Sequence, residues 1–215
     1  MTQAVFFDLD GTFADTAPDL SFALNRMREI RGLPSLPLAA TRSVTSLGAR
    51  GLLQAGFGMA PEHPDYGAMR EEFLAIYESN IDRESRLFPG TSELLETMEA
   101  RGLRWGIVTN KAERLARLLL EKLKMASRAC CIIGGDSTTH LKPHPEPLLA
   151  ACRALGEEPR ACIYVGDDRR DVEAGHAAGM KVAVARWGYL NGGQPESWQA
   201  DWMIEKPQDV LRFLD

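Results

Sequence analysis

Five short apolar runs alternate with amphipathic stretches along most of the chain. The runs are "AVFFDL" (4–9), "RWGIVT" (104–109), "CCIIGG" (130–135), "ACIYVG" (161–166) and "KVAVAR" (181–186). Uninterrupted apolar runs of this length are typical of strands that are covered on both faces. Their alternation with helical stretches predicts an α/β fold built on a parallel sheet.

The stretches between these runs have the apolar spacing of surface helices. They predict helices over 91–101, 112–124, 145–155 and 171–178. Gly102, Gly156 and Gly179 each follow one of these stretches, and glycine is the residue that most often ends a helix. Strands and helices thus alternate as they do in an open parallel sheet.

Residues 15–86 break this alternation. They contain helical patterns such as "APDLSFALNRMREI" and "YGAMREEFLAIYESNI", and no convincing strand. We therefore predict an all-helical insertion, a cap, placed directly after the first strand. The predicted division is a core formed by 1–14 and 87–215 and a cap formed by 15–86.

Composition and charge narrow the range of partners. The 215 residues are 45% hydrophobic and 26% charged, with a formal net charge of −5. Nucleic-acid and anionic-membrane binders need a basic surface, so the charge argues against both classes. No apolar run is long enough to cross a membrane, and the N-terminus does not resemble a signal peptide. We expect a cytoplasmic protein that is either a monomer or a dimer.

Polar residues and one glycine follow four of the predicted strands, at the point where each strand ends. They are Asp8, Asp10, Gly11 and Thr12 after the first, Thr109, Asn110 and Lys111 after the second, Asp136 and Lys142 after the third, and Asp167, Asp168 and Asp171 after the fourth. In an open parallel sheet, ligands bind outside the carboxyl ends of the strands. We therefore expect these residues to meet at one edge of the sheet.

The residue types in this set favour phosphate chemistry. Clustered carboxylates repel one another unless a cation lies among them, and their hard oxygen atoms favour Mg²⁺ over zinc. A carboxylate can attack phosphorus, and a second carboxylate nearby can transfer the protons. A glycine beside them would let the backbone approach a phosphate closely.

Four motifs on these strands resemble the ordered motifs of the haloacid dehalogenase superfamily. They are "DLDGT", "VTNK", "LKPHPEP" and "GDDRRD". The resemblance implies a Rossmann-like core. It also implies that Asp8 is the nucleophile, Asp10 the general acid and base, Thr109 a phosphate-binding hydroxyl and Lys142 the amine that neutralises charge.

The same resemblance implies a magnesium site and neighbouring contacts to substrate. Magnesium would be held by Asp8, the backbone carbonyl of Asp10 and Asp167, with Asp171 behind these ligands or assisting as one. Gly11, Thr12 and Asn110 would contact the substrate. The substrate would be a small-molecule phosphate monoester, and the activity a magnesium-dependent phosphomonoesterase that acts through an aspartyl-phosphate.

Further segments resemble one branch of that superfamily. "DGTFADTAPDL" and "LFPGTSELLE" resemble phosphoglycolate phosphatases, whereas "GAR" at 48–50, "EFLAIYESN" and "ARWGYL" resemble bacterial N-acetylmuramic acid 6-phosphate phosphatases. The helical insertion is similar to the small cap of the superfamily, which closes over the site. The resemblance therefore implies 2-phosphoglycolate or N-acetylmuramic acid 6-phosphate as substrate.

Several residues near the motifs allow more than one interpretation. Arg50, in "SLGARG", either pairs with a substrate carboxylate or phosphate or lies on the surface, and Arg42 allows the same alternatives. Arg169 and Arg170 are interpreted as a solvated helix face. Asp167 could cap the following helix, and Tyr189 could border the mouth of the site or pack in the core.

Two other functions are compatible with the same motifs. A phosphosugar mutase of the same fold would need the cap to bind a second hydroxyl, which the sequence neither requires nor excludes. A receiver or scaffold without enzymatic activity would use the aspartates and magnesium for signalling. The predicted cap argues against the latter, since a receiver needs no lid over its aspartate.

Overall fold

The computed structural model describes residues 2–214 and contains a six-stranded parallel sheet. The strands of this sheet are β1 (Ala4–Phe7), β4 (Arg104–Val108), β5 (Ile132–Ile133), β6 (Cys162–Gly166), β7 (Lys181–Ala185) and β8 (Trp202–Ile204). They lie side by side in the order β5–β4–β1–β6–β7–β8. The five predicted strands are all present. The edge strand β8 was not predicted, because it has only three residues and does not lie in a longer apolar run.

The central strand β1 is buried on both faces. Val5 and Phe7 pack into the apolar cluster on one face, and Ala4 and Phe6 into the cluster on the other. β1 pairs with β4 on one side and β6 on the other, both in parallel register. Since successive side chains of a strand point to opposite faces, an uninterrupted apolar run is what this position requires.

Eight α-helices within residues 2–214 cover the sheet and form the insertion. They are α1 (Ala17–Ile30), α2 (Leu38–Arg42), α3 (Gly48–Phe57), α4 (Tyr66–Glu78), α5 (Thr91–Ala100), α6 (Glu113–Lys122), α7 (Glu146–Leu155) and α8 (Arg169–Ala178). The four helices predicted between the strands correspond to α5–α8, and the insertion carries α1–α4. Within residues 2–214, none of them combines the length and apolar character needed to cross a bilayer.

A two-stranded antiparallel ribbon lies where the predicted insertion begins and ends. Its strands are β2 (Ala14–Asp15) and β3 (Arg86–Leu87), with Ala14 opposite Leu87 and Asp15 opposite Arg86. The chain therefore leaves for α1–α4 and returns from them at neighbouring points. The division into a core and a cap remains a prediction, and both of its boundaries fall in this ribbon.

Tyr189, which follows β7, anchors the start of α1 to the sheet. Its buried hydroxyl accepts hydrogen bonds from the backbone N–H groups of Thr16 (2.8 Å) and Ala17 (2.9 Å), and donates to Asp15 Oδ1 (2.9 Å). Arg42 forms a bidentate ion pair with Asp15, and its guanidinium lies 5.3 Å from the centroid of the Tyr189 ring. Tyr189 and Arg42 therefore belong to the packing around the start of α1.

Asp19 of α1 links the chain that enters the insertion to the segment 84–85 that leaves it. Its buried carboxylate accepts from the backbone N–H of Glu84 (2.9 Å) and from both the N–H (2.9 Å) and the hydroxyl (2.7 Å) of Ser85. Buried donors that lose their only acceptor keep the cost of their desolvation. Asp19 therefore holds the returning chain against α1.

We predict that Asp19→Ala destabilises the protein by about 1–3 kcal/mol, because it leaves buried donors at Ser85 without an acceptor. The measurement is urea denaturation followed by circular dichroism. Asp65→Ala is the matched control, since the side chain of Asp65 is 76% exposed. Equal unfolding free energies for the two variants would contradict this role of Asp19.

Candidate active site

A cavity of about 340 Å³ lies at the carboxyl ends of the strands, between the sheet and the helices of the insertion. Asp8, Asp10, Thr109, Asn110 and Lys142 line its floor. Side chains from α3, α4 and the turn before α3 line the opposite wall. The structure thus brings together five residues that the sequence placed on three different loops.

Asp8 follows β1 directly and is 8% exposed. The pKa of Asp8 is raised to about 6, chiefly by burial and also by the charges of Asp171 and Asp10, while Lys142 opposes the increase. The Lys142 ammonium lies 3.0 Å from Asp8 Oδ1 and forms an ion pair with it. Apart from this ion pair, Asp8 Oδ1 is buried without a hydrogen-bond partner.

Lys142 is the buried cation beside Asp8. Its ammonium donates to the Tyr164 hydroxyl (2.6 Å), Asp171 Oδ1 (2.7 Å) and the carbonyl of Val108 (3.1 Å). Burial lowers the pKa of Lys142, but the charges of Asp171 and Asp8 outweigh it, so the pKa is raised. Lys142 therefore stays protonated beside Asp8.

Asn110 fixes the loop that carries Lys142. Its side-chain amide donates to the Lys142 carbonyl and accepts from the Lys142 backbone N–H, each at 3.0 Å. The predicted contact of Asn110 with substrate remains a prediction, because the described hydrogen bonds of its side chain are to the backbone of Lys142. Thr109 is buried and lines the cavity, and its hydroxyl oxygen accepts from Lys111 N–H (3.2 Å). The Thr109 proton can thus be donated to a ligand.

Asp167 is completely buried beside Asp8. It accepts from the Thr12 hydroxyl (2.8 Å) and from the backbone N–H of Tyr189 (2.7 Å). Burial raises the pKa of Asp167 well above its usual range, and the charges of Asp8 and Asp171 raise it further. Its ionised form thus lacks a compensating charge among the described residues in contact with it.

Gly11 and Thr12 both contact or leave space for the Asp167 side chain. A Cβ on Gly11 would lie 2.3 Å from Asp167 Oδ2, and the Gly11 φ angle of +90° is one that other residues rarely adopt. The Thr12 hydroxyl donates to Asp167. Neither residue is among those that line the cavity, and their contact with substrate remains a prediction.

Asp171 lies behind Lys142, in the first turn of α8. Its Oδ1 accepts from Lys142 and Tyr164, and its Oδ2 from the backbone N–H groups of Asp167 (3.1 Å) and Asp168 (3.0 Å). Both oxygens are thus already hydrogen-bonded, and direct metal ligation by Asp171 remains a prediction. The helix cap is Asp168, not Asp167 as considered from the sequence.

Asp10 points toward a second buried lysine that the sequence prediction left without a role. Lys111 Nζ donates to both Asp10 oxygens (2.8 and 2.9 Å), and the Thr16 hydroxyl donates to Oδ1 (2.6 Å). Burial lowers the pKa of Lys111, but Asp10 and Tyr77 raise it above its usual value. The position of Lys111 directly after Thr109 and Asn110 in "VTNK" was the available signal.

The insertion contributes two arginines to the cavity. Arg50 lines the cavity, so it is placed where it could contact a substrate, although such a contact remains a prediction. Arg70 also lines the cavity and was not singled out from the sequence. Arg169 is exposed and pairs with Glu173, as expected of a solvated face. The interpretation was wrong for Arg170, which is partly buried, chelates Asp168, and donates to the carbonyl of Ser46 (2.9 Å).

The donor set fits a hard divalent cation. Oxygen atoms of Asp8, Asp167 and Asp171 lie within 4.8 Å of one another. Asp8 Oδ1 has no hydrogen-bond partner, and the pKa values of Asp8 and Asp167 are raised by burial and mutual repulsion. Carboxylate oxygens in this arrangement suit Mg²⁺, which prefers a few carboxylates together with phosphate or water oxygens.

Comparisons with known proteins show what this chain is similar to. A family model described as haloacid dehalogenase-like hydrolase matches residues 5–185. An N-acetylmuramic acid 6-phosphate phosphatase of Pseudomonas aeruginosa is 41% identical over 99% of this chain and 95% of its own length. A phosphoglycolate phosphatase of Xanthomonas campestris is 45% identical over 97% of this chain and 94% of its own length.

A solved structure shows the same fold over the whole chain. It is a crystal structure described as a predicted phosphoglycolate phosphatase from Haemophilus somnus 129pt. The match has a TM-score of 0.89 at 27% identity, and it covers 100% of this chain and 98% of that one. The α/β fold predicted from the strand pattern is thus confirmed.

We predict that Asp167→Asn raises the melting temperature in metal-free buffer and removes the stabilisation by Mg²⁺. The amide keeps an acceptor for Tyr189 N–H and removes a charge that burial disfavours. The measurement is thermal denaturation with and without Mg²⁺, since a ligand that binds only the folded state raises its stability.

Asp201→Asn is the control, because Asp201 forms an ion pair with the exposed Lys181. Partial burial raises the pKa of Asp201, but the hydrogen bond from Lys181 is the chief effect that lowers it below its usual value. This variant should keep the Mg²⁺ response. A lower metal-free melting temperature for Asp167→Asn, or an unchanged shift with Mg²⁺, would contradict the proposed cation site.

Proposed function

The chain belongs to the haloacid dehalogenase-like hydrolase family, and we propose that it is a magnesium-dependent phosphomonoesterase that forms an aspartyl-phosphate on Asp8. Its relatives at 41–45% identity are named phosphatases, which makes the chain a phosphoric monoester hydrolase. The metal, the covalent intermediate and the substrate are the parts that we propose.

The observation that carries the mechanism is the state of Asp8. Asp8 lines the cavity, and its buried Oδ1 has no partner other than the Lys142 ammonium, so a lone pair is available for attack. The Lys142 ammonium, 3.0 Å away, offsets the repulsion between a carboxylate and an anionic phosphate. A carboxylate held in this way can act as a nucleophile.

The reaction proceeds in two displacements at phosphorus. In the first, Asp8 Oδ1 forms a bond to phosphorus while the ester oxygen departs and takes a proton from the carboxylic acid of Asp10. In the second, Asp10 removes a proton from water as the water oxygen attacks phosphorus and the bond to Asp8 breaks. The products are the alcohol and phosphate, and Asp10 is again protonated.

The remaining side chains position the phosphate. The Thr109 hydroxyl donates to a phosphate oxygen, and Lys142 stabilises the negative charge on the others. Asp8, Asp167 and the backbone carbonyl of Asp10 would hold magnesium, which supplies further charge stabilisation to the phosphate oxygens when it is bound. Before the first transfer, Asp10 must leave its ion pair with Lys111, take up a proton from solvent and contact the ester oxygen of the substrate.

The alternatives considered from the sequence receive less support. A receiver or scaffold gives no reason for a cavity of about 340 Å³ walled by the helices of the insertion. No observation favours a phosphosugar mutase over hydrolysis. The relatives act, by name, on 2-phosphoglycolate or N-acetylmuramic acid 6-phosphate, and we propose a substrate of this kind, which carries both a phosphate and a carboxylate.

We predict that Asp8→Asn abolishes phosphate release from p-nitrophenyl phosphate, because the amide is not a nucleophile toward phosphorus. The fold should remain, as judged by circular dichroism, since the change removes a charge that burial disfavours. Asp82→Asn, at an aspartate whose side chain is 46% exposed, should keep wild-type activity. Residual turnover by Asp8→Asn above the buffer rate would refute its role as nucleophile.

We predict that Arg50→Ala raises KM for N-acetylmuramic acid 6-phosphate about tenfold or more, the effect expected when a charged hydrogen bond to a carboxylate is lost. The increase should be much smaller for p-nitrophenyl phosphate, which lacks the carboxylate. Arg153→Ala, at an exposed arginine of α7, is the control. Equal increases for both substrates would remove Arg50 from carboxylate recognition.

A further inference from the structure

Two histidines and a glutamate meet on the exposed part of the loop that carries Lys142. His140, His144 and Glu146 each offer one nitrogen or oxygen atom, and these three atoms lie within 4.8 Å of one another. Both imidazoles are exposed, whereas Glu146 is partly buried at the start of α7. None of the three side chains lines the cavity at Asp8, so the cluster needs an explanation of its own.

Glu146 and Thr138 fix the position of His140. Glu146 Oε2 accepts from the His140 backbone N–H (3.0 Å) and lies 2.8 Å from the ring nitrogen Nδ1. The Thr138 hydroxyl donates to the His140 carbonyl (2.8 Å). Metal ions displace protons from the groups that bind them. An ion that replaces the proton between Nδ1 and the carboxylate would therefore be held by both atoms.

His144 brings a second imidazole against the first. Its ring is stacked on that of His140, with centroids 4.2 Å apart and ring planes inclined by 25°. Its Nδ1 accepts from the backbone N–H of Glu146 (3.2 Å), so this nitrogen carries a lone pair. Two protonated imidazoles at this separation would repel each other, whereas two neutral imidazoles can share one metal ion.

Prolines restrict the backbone that carries two of these side chains. His144 lies between Pro143 and Pro145, and Pro147 directly follows Glu146. Proline fixes its own φ angle and limits the conformations of the residue before it. Little backbone freedom therefore remains to be lost on binding, and a site that is ordered in advance binds its ligand at a lower entropic cost.

We propose that these three side chains bind a divalent transition-metal ion of the zinc class, at a site separate from the acidic cluster around Asp8. Imidazole nitrogens favour such ions over Mg²⁺, and two imidazoles with one carboxylate are among the three-ligand sets that hold zinc in proteins. Atoms bound to one zinc ion lie within roughly 4.2 Å of each other, so the side chains need to move by less than about 1 Å.

The ion connects the two ends of the segment that carries Lys142. His140 lies before Lys142 in the sequence and Glu146 after it. On the buried side, the backbone of Lys142 is hydrogen-bonded to the Asn110 side chain at 3.0 Å in both directions. A bound ion adds a restraint on the exposed side of the same loop. Because it binds the folded state, it also raises the stability of the protein.

The test is calorimetric titration of the full-length protein with Zn²⁺ in excess Mg²⁺. Wild type should bind one equivalent of Zn²⁺ at this site. His140→Ala and His144→Ala should each bind it more than about tenfold more weakly, since even the loss of a group behind a ligand has an effect of this size. Both substitutions fall on exposed side chains, so circular dichroism should show the wild-type fold.

Two control variants separate this site from other zinc binding. His176 is also exposed and pairs with a carboxylate, that of Asp201 (3.1 Å), but it belongs to no cluster of three metal ligands within residues 2–214. His176→Ala should therefore keep the wild-type affinity for Zn²⁺. Asp167→Asn, which alters the acidic cluster, should keep this binding event as well.

Thermal denaturation in excess Mg²⁺ gives a second readout. Zn²⁺ should raise the melting temperature of wild type and His176→Ala, and much less that of His140→Ala and His144→Ala. Equal Zn²⁺ affinity of wild type and both of the latter variants would overturn the inference. A wild-type protein that binds no Zn²⁺, or loss of the binding event in Asp167→Asn, would overturn it too.

Discussion

The burial of several carboxylates around one lysine constrains the rest of this structure. Asp8, Asp167 and Asp171 approach one another in a site where Lys142 is the cation in contact with two of them. Carboxylates are costly to bury unless they are paired or bound to a cation. One ammonium cannot balance three carboxylates, so the site is suited to a further cation.

The surrounding fold supports this arrangement at each contact. The central strand β1 delivers Asp8, the start of α8 supplies backbone donors to Asp171, and Gly11 leaves the space that Asp167 fills. Tyr189 links the same region to the start of α1. Its backbone N–H donates to Asp167, and its hydroxyl accepts from the backbone N–H of Thr16. The acidic site and the base of the insertion are therefore built from shared residues.

The sequence predicted the floor of the site well because that floor depends on local pattern. Apolar runs located the strands, and the rule that ligands bind at their carboxyl ends brought Asp8, Thr109 and Lys142 together. Contacts between the insertion and the rest of the chain could not be predicted in the same way. The bond of Arg170 to Ser46 joins residues 124 positions apart, and no periodicity connects such residues.

The most direct test of the account is chemical trapping of the phosphorylated carboxylate. Wild-type protein with Mg²⁺ and p-nitrophenyl phosphate is quenched in acid during turnover and reduced with borohydride, which converts an acyl phosphate into an alcohol. Mass spectrometry of the peptide that contains Asp8 then locates the reduced residue. The account predicts reduction at Asp8, and only when substrate was present. Reduction at a different residue, or turnover that leaves every carboxylate unmodified, would contradict it.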